Sequence, residues 1–385
     1  MRSRSRRRPP RIGSASPPLS RSVVARAPLD EVRRWIAGRR LGAAYITRPV
    51  SIGYLTGFHA EPHERLMALV VRQNDATLIV PALERQKAVE RASHAGVVAW
   101  RDGDDPYDLV RLELDGMTEV GVEKDHLSLH AAEVITSRTG VSELLDVGPE
   151  ILRLRVTKQE NEVEKLVRAA AITDAACDEV FSRMRAGQTE IEIALMLGAA
   201  IGELGGTLAF ESLVQSGPNS ALPHLGPSNR KLASGDLVLL DFGAAFEGYK
   251  ADTTRMGVVG KPGDRQREIH DVVLKAHDAA IAAVSAGVTT GEVDAAARRV
   301  IDAAGYGERF FHRVGHGLGL EAHEAPSLDP GSLMALEPGM VFTVEPGVYI
   351  PGFGGVRIED DVLVEEGGCR VLTRADRSLR VITNI

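Results

Sequence analysis

The chain has 385 residues, 44% apolar and 26% charged, the balance of a globular protein long enough for two or three domains and unlike a disordered chain, a collagen or a coiled coil. Its longest apolar stretch, around Ile193 to Ile201, falls far short of the ~18 residues of a membrane span. The net charge of −7 is uneven: residues 1–26 hold eight arginines and no acid, which leaves −15 on the remainder.

Residues 1–27 are rich in Arg, Ser and Pro and read as a disordered extension. The arm lacks the apolar core of a secretory signal and has no aromatic side chain to stack on bases. The acidic body would repel a phosphate backbone, so neither a nucleic-acid nor a membrane partner is expected. From Pro28 the pattern is globular. Leu29–Val32 opens an amphipathic helix, and Ala43–Ile46, Ala68–Val71 and Thr77–Val80 read as strands. Pro81–Ala92 reads as helix, and Gly96–Trp100 and Val120–Val122 as strands. Strands alternating with helices argue for an α/β domain over residues 28–156. A long helix is expected over Thr157–Arg185, with Thr157 as N-cap and Glu160 completing a capping box. It opens a second, α+β domain over 157–385.

That domain carries an internal echo at an offset of 100 residues. Ala186-Gly187-x-Thr189-x-x-Glu192 matches Ala286-Gly287-x-Thr289-x-x-Glu292, and Gly205 matches Gly305. The physical reading is a duplicated helix–turn–helix and sheet unit packed about a pseudo-two-fold axis, with any site between the halves drawing groups from both.

Five residues point to chemistry. Asp241 ends the apolar run Leu237–Leu240, and Asp252 follows eleven residues later in Ala-Asp-Thr-Thr-Arg, a return that sets the two acids side by side. His316 lies in Gly-His-Gly-Leu-Gly-Leu-Glu-Ala-His, Glu345 follows Val341–Val344, and Glu359 follows Val356–Ile358. An acid closing an apolar strand is costly unless paired or bound to a cation. Four carboxylates and one neutral imidazole balance two divalent cations, and this donor set suits Mn2+, Co2+ or Zn2+. Such a pair of metals can polarise a carbonyl and acidify a water. His312 and His323 flank His316 in sequence, and His224 stands apart in Ser-Ala-Leu-Pro-His; as neutral donors they suit an oxyanion or a leaving amine. Arg357 is placed to pair with a ligating carboxylate or a substrate group. The Gly-x-Gly-x-Gly around His316 lacks the spacing of a phosphate or dinucleotide loop. Two cysteines, Cys177 and Cys369, cannot make a disulfide framework and suit a reducing, cytoplasmic setting.

In the contexts DFG, ADTTR, GHGLGLEAHE, VEPGVY and VRIEDD, these residues resemble the pita-bread metallopeptidases of family M24, and within them the Xaa-Pro peptidase branch of prolidases and aminopeptidases P. The resemblance spans about residues 28–385. It implies an α+β pita-bread catalytic domain behind a smaller creatinase-like α/β domain. It implies that Asp241 chelates one metal, His316 and Glu345 the other, and that Asp252 and Glu359 bridge, with Mn2+ the expected ion. Glu345 would also handle the proton, His224 and His323 would contact the scissile carbonyl and proline nitrogen, and His312 would wall the proline pocket. Tyr349 and Arg357 match positions behind the ligands. The segment Gly57–Arg65 resembles a loop that reaches a partner's active site in dimeric bacterial prolidases. This implies a homodimer with Glu61, His63 and Arg65 at the partner's substrate, although Asp is usual where Glu61 stands. Arg313 with Ser327 matches a bacterial prolidase clamp for the dipeptide carboxylate. The expected activity is therefore hydrolysis of Xaa-Pro dipeptides. The rivals are an Xaa-Pro aminopeptidase acting on longer peptides, a non-peptide amide or amidine hydrolase, and a catalytically dead binding module. Broken ligand sets would mark the dead module and the metal-independent hydrolases, and here the set is intact.

Overall fold

The computed structural model describes residues 27–383; the arginine-rich arm lies outside them. The first domain alternates α1 (Pro28–Arg39), β1 (Ala43–Ile46), α2 (Pro49–Thr56), β2 (Ala68–Val71), β3 (Ala76–Pro81), α3 (Arg85–Arg91), β4 (Gly96–Trp100), α4 (Pro106–Glu113), β5 (Glu119–Val122), α5 (Leu129–Arg138), β6 (Glu143–Asp146) and α6 (Gly148–Val156). The sheet order is β4-β3-β2-β1-β5-β6, with β1 antiparallel to β2 and parallel to β5. Alternation along the strands explains why both faces are covered. Ala44, Ile46, Leu69, Val71, Leu78 and Val80 pack with residues of α1, α2, α3 and α6. Their neighbours Ala43, Tyr45, Ala68, Val70 and Ile79 face the opposite way, toward α4 and α5. Each fully buried large aliphatic chain contributes about 1.5–3 kcal/mol.

The long helix predicted from Thr157 starts later. Thr157 is the C-cap of α6, bridges to Met340, and is followed by Lys158, whose N–H donates to Gly339 O at 2.8 Å. Tertiary pairing thus holds this stretch extended. The helix α7 (Glu160–Arg183) is capped instead by Gln159 and Glu162, a second box of the same spacing.

The second domain then runs α8 (Glu190–Glu203), β7 (Thr207–Leu208), β8 (Leu213–Ser216), β9 (Leu237–Phe242), β10 (Ala244–Phe246), β11 (Tyr249–Lys250), β12 (Thr253–Val259), α9 (Asp264–Ala283), α10 (Thr290–Ala303), β13 (His316–Gly317), β14 (Glu324–Ser327), β15 (Val341–Val344), β16 (Gly347–Ile350), β17 (Gly354–Arg357), β18 (Asp360–Glu365), β19 (Gly368–Val371) and β20 (Arg380–Ile382). The main sheets are β20-β12-β9-β8 and β14-β13-β15-β18-β19, beside the hairpin β16-β17 and the small sheet β11-β10-β7. The offset-100 echo is a structural repeat. Thr189 and Thr289 each cap a 14-residue helix with a complete capping box to Glu192 and Glu292, and Gly187 and Gly287 take φ +85° and +86°. One half packs α7 and α8 on its sheet, and the other packs α9 and α10.

Strand periodicity then sets the site. Along β9, Val238, Leu240 and Phe242 join the first half's core, while Leu237 and Leu239 join the second half's. Asp241 continues the Leu237–Leu239 face and so points to the seam between halves. Across that seam, Thr254 of β12 bridges to Glu359, just before β18.

Candidate active site

Each half delivers two acids from an antiparallel pair. Asp241 lies opposite Thr254 in the β9–β12 ladder, and Asp252 immediately precedes β12. The return between them is tight at Gly243, where a Cβ would sit 1.7 Å from Ala251 O, so only glycine fits. In the other half Val344 pairs with Asp360, which sets Glu345 and Glu359 at the adjoining strand ends. His316 opens β13, its N–H donating to Thr343 Oγ1 at 3.0 Å; a Cβ on the preceding Gly315 would strike Thr343 O at 1.9 Å. His316 Nδ1 lies 3.2 Å from Gly317 O. A proton held there leaves Nε2 free as a lone-pair donor toward the acids.

The five residues meet. Donor atoms of Asp252, His316 and Glu359 lie within 4.8 Å of one another. His316 Nε2 is 3.3 Å from Glu345 Oε1 and 4.0 Å from Asp252 Oδ2. Asp241 is drawn in through Arg357, whose Nη2 donates to its Oδ2 at 2.5 Å. Arg357 also donates to Thr254 Oγ1 and Tyr349 OH at 2.9 and 3.0 Å, and its Nε lies 3.9 Å from both Glu345 and Glu359. Thr254 Oγ1 donates to Glu359 Oε2 at 2.6 Å.

Electrostatically this cluster is short of positive charge. Burial, then Glu359 and Asp241, hold the Asp252 carboxyl far above the ordinary carboxylate range. Burial, then Glu345 and Asp241, do the same to Glu359. Burial pushes Glu345 up to about 7 against the pull of Arg357, and burial with the neighbouring His323 pushes His316 down to about 3, keeping it neutral. Four carboxylates crowded out of water bind either protons or cations. The residues fit divalent cations: Asp252 Oδ1 is buried without a hydrogen-bond partner, and the donors are carboxylate oxygens with one imidazole nitrogen.

All five line one cavity of about 940 Å³, together with His224, His312, Arg313, His323, Tyr349 and Arg357. His323 stands edge-on to His316, ring centroids 4.1 Å apart, and both His323 and His224 are exposed to the cavity. His312 is fixed by a chain of hydrogen bonds. Arg357 donates to Tyr349 OH, which lies 3.0 Å from His312 Nε2, while His312 Nδ1 lies 2.7 Å from Arg313 O. Burial and the Arg357 charge hold His312 down at about 4, so it is neutral. Ser327 does not line the cavity, but it pairs with His316 in the β13–β14 ladder and accepts a 2.7 Å hydrogen bond from Arg313 Nη1.

The predicted loop residues are elsewhere. Glu61 and His63 are exposed and Arg65 half-buried; Arg65 donates twice to Asp102 at 3.0 Å, and none of the three lines this chain's cavity. Sequence reasoning missed the apolar wall of Phe210, Leu213, Leu222, Leu225 and Phe311, and the carboxylate Glu211. It also missed the support behind the ligands. Asp361 Oδ2 accepts the Asp252 N–H at 3.0 Å, and Arg255, 1% exposed, donates to Glu359 O at 2.5 Å and Asp360 Oδ1 at 2.6 Å. The only sequence signal for these contacts is a run of buried-strand charge, Asp360-Asp361 and Arg255, lacking an obvious role.

Residues 164–366 match metallopeptidase family M24, and residues 28–157 match the creatinase/prolidase N-terminal domain. The chain belongs to metallopeptidase family M24. It is 39% identical over 362 residues to an Xaa-Pro dipeptidase of Lactobacillus helveticus, covering 92% of this chain and 98% of that one. Among solved structures it is similar to an Xaa-Pro dipeptidase from Bacillus anthracis, with a TM-score of 0.87 and 34% identity over 92% and 99% of the two chains. It is also similar to an X-Pro aminopeptidase from Thermotoga maritima, with a TM-score of 0.81 and 34% identity over 90% and 99%. The fold is thus the α+β pita-bread domain behind a creatinase-like domain. The family implies a divalent metal, for which Asp252, His316 and Glu359 form a convergent donor group. Among the described residues no helix is long and apolar enough to cross a membrane.

Proposed function

We propose that this member of family M24 is an Xaa-Pro dipeptidase holding two divalent cations, Mn2+ foremost with Co2+ or Zn2+ as alternatives. The observation that carries the dipeptide reading is Arg313, a cation on the cavity wall braced by Ser327 at 2.7 Å. A guanidinium so placed matches the free carboxylate of a C-terminal proline. The Xaa-Pro dipeptidases among the similar proteins support the same substrate class.

Asp241, Asp252, His316, Glu345 and Glu359 would hold the cations. Bound there, divalent cations supply Lewis-acid polarisation of the carbonyl before proline and water acidified to a nucleophile at neutral pH. The side chains do the rest. Glu345, a carboxylate on the cavity wall 3.3 Å from His316 Nε2, is placed to take a proton from the attacking water and return it to the leaving nitrogen. His224 and His323 act as hydrogen-bond donors, one to the developing oxyanion and one at the proline nitrogen. Burial and the Arg313 charge hold His323 below the usual histidine range, which keeps it neutral. His312, locked by Tyr349 and Arg313 O, stands with Phe311 and Tyr349 in an aromatic group that suits a proline ring.

We further propose a boundary at residues 156/157, where α6 ends, and a homodimer in which Glu61, His63 and Arg65 reach the partner's cavity. Their surface position away from their own site supports this. A cytoplasmic setting accords with two free cysteines, Cys177 and Cys369. The test of the clamp is Arg313→Ala. Loss of a hydrogen bond to a charged group, about 1.5–3 kcal/mol, raises KM for Leu-Pro about tenfold or more. An unchanged KM for Leu-Pro removes the carboxylate-clamp role.

A further inference from the structure

Gln215 is fully buried, 0% exposed, yet it is not a ligand and does not line the cavity. It lies on β8, opposite Leu239 in the β8–β9 ladder, as Leu213 lies opposite Asp241. Leu213 and Gln215 therefore share the face directed at the site. The three hydrogen bonds of the Gln215 amide all go to one short stretch of backbone. Its Nε2 donates to Leu222 O at 2.9 Å, Pro223 O at 3.2 Å and Leu225 O at 2.9 Å. These carbonyls bracket His224, and Leu222, His224 and Leu225 all line the cavity. The other end of the amide, Oε1, is buried without a partner.

The ends of the same loop are tied separately. Glu190, also 0% exposed, accepts from Ser216 N and Oγ, both at 2.7 Å, from Asn219 Nδ2 at 3.0 Å, and from Ser228 N and Oγ at 3.0 and 2.6 Å. Glu190 thus closes the loop at its base while Gln215 grips it at the histidine. A buried amide with one end left unpaired is costly. Here its whole hydrogen-bonding output goes to the backbone carrying His224.

We infer that Gln215 is the positioning residue for His224, holding the Leu222–Leu225 turn so that the imidazole meets the reacting carbonyl. The inference rests on the proposed role of His224 and goes beyond it. Misplacing a catalytic group by about 1 Å can cost about 100-fold in rate.

The test uses the full-length, metal-loaded enzyme and the variant Gln215→Met, which keeps length and volume but removes the donors. Kinetics on Leu-Pro are measured for wild type, Gln215→Met, His224→Ala and the double variant. The expected result is a kcat about 10- to 100-fold lower for Gln215→Met with KM nearly unchanged. The double variant should be no slower than His224→Ala alone, because both changes act through one imidazole. Hydrogen exchange, which needs no substrate, should show at least about tenfold faster exchange in Gln215→Met confined to the backbone amides of Leu222, His224 and Leu225. Multiplicative losses in the double variant, a wild-type kcat for Gln215→Met, or unchanged exchange overturn the inference. So does failure of Gln215→Met to fold, which places the residue's role in the core. Failure of the wild-type enzyme on Leu-Pro counts against the dipeptidase reading alone, since the exchange measurement still decides this one.

Discussion

Stripping the divalent metal should make this protein lose stability as pH rises, through the ligand acids themselves. Glu345 is the best placed to show it: burial moves its carboxyl from 4.5 to about 7 in the folded, metal-free chain. A raised folded-state pKa means the native state binds that proton more tightly than the unfolded state. The stabilisation is fully present below about pH 4.5 and is lost as pH rises through 7. At about 1.4 kcal/mol per pH unit, the whole effect is about 3 kcal/mol, most of it lost between pH 5 and 8. Asp252 and Glu359 shift in the same direction. The buried histidines oppose it. His312 and His316, pushed down to about 4 and 3, must charge on unfolding in acid, so their contribution grows as pH rises to about 6.5. Comparing wild type with Glu345→Gln cancels the histidines. By thermal melting after chelation, the wild type should lose about 5–10 °C more than Glu345→Gln between pH 5 and pH 8, taking about 2–4 °C per kcal/mol. Saturating Mn2+ at pH 8 should restore the wild-type Tm by pairing the carboxylates. Parallel melting profiles for the two proteins would refute the reasoning, because Glu345 would then carry no buried proton.

Asp252→Ala should abolish peptidase activity and lower the metal bound per chain, read by elemental analysis; unchanged metal content and rate would sink the two-cation reading. His323→Ala should lower kcat by about 10²–10³-fold with folding intact, and an unaltered kcat would remove His323 from the chemistry. Arg255→Met should destabilise the protein by about 2–3 kcal/mol in urea unfolding, because the fully buried Asp360 loses one of its two guanidinium partners and keeps only Arg377. A loss under about 1 kcal/mol would mean that Arg377 alone balances Asp360.

The parts legible in sequence were those written in strand and helix periodicity. An acid that ends or precedes an apolar strand announces itself, so Asp241, Asp252, Glu345 and Glu359 could be picked out one by one. The duplicated Gly-x-Thr-x-x-Glu turns revealed the repeat because a capping box has a fixed spacing. Where two boxes competed, at Thr157/Glu160 and Gln159/Glu162, spacing could not choose between them. The bridge from Thr157 to Met340, almost two hundred residues away, made the choice. Contacts of that range were also invisible for Arg255, whose partners Glu359 and Asp360 lie about a hundred residues on. Gln215 carried no signal in the sequence, because nothing local ties it to the turn carrying His224. Arg313 and Ser327 were singled out through family resemblance, not periodicity, and their hydrogen bond came only with the structure. The Glu61–Arg65 loop was placed by the same resemblance, and in one chain it sits away from the cavity.

The most direct test of the central claim is hydrolysis of Leu-Pro and of Leu-Pro-Gly by the purified wild-type protein loaded with Mn2+. Rapid cleavage of Leu-Pro with negligible attack on Leu-Pro-Gly is the predicted result. Cleavage of Leu-Pro-Gly at the bond before proline would make the protein an aminopeptidase and contradict the role given to Arg313. Cleavage of neither, with metal bound, would contradict the Xaa-Pro substrate altogether.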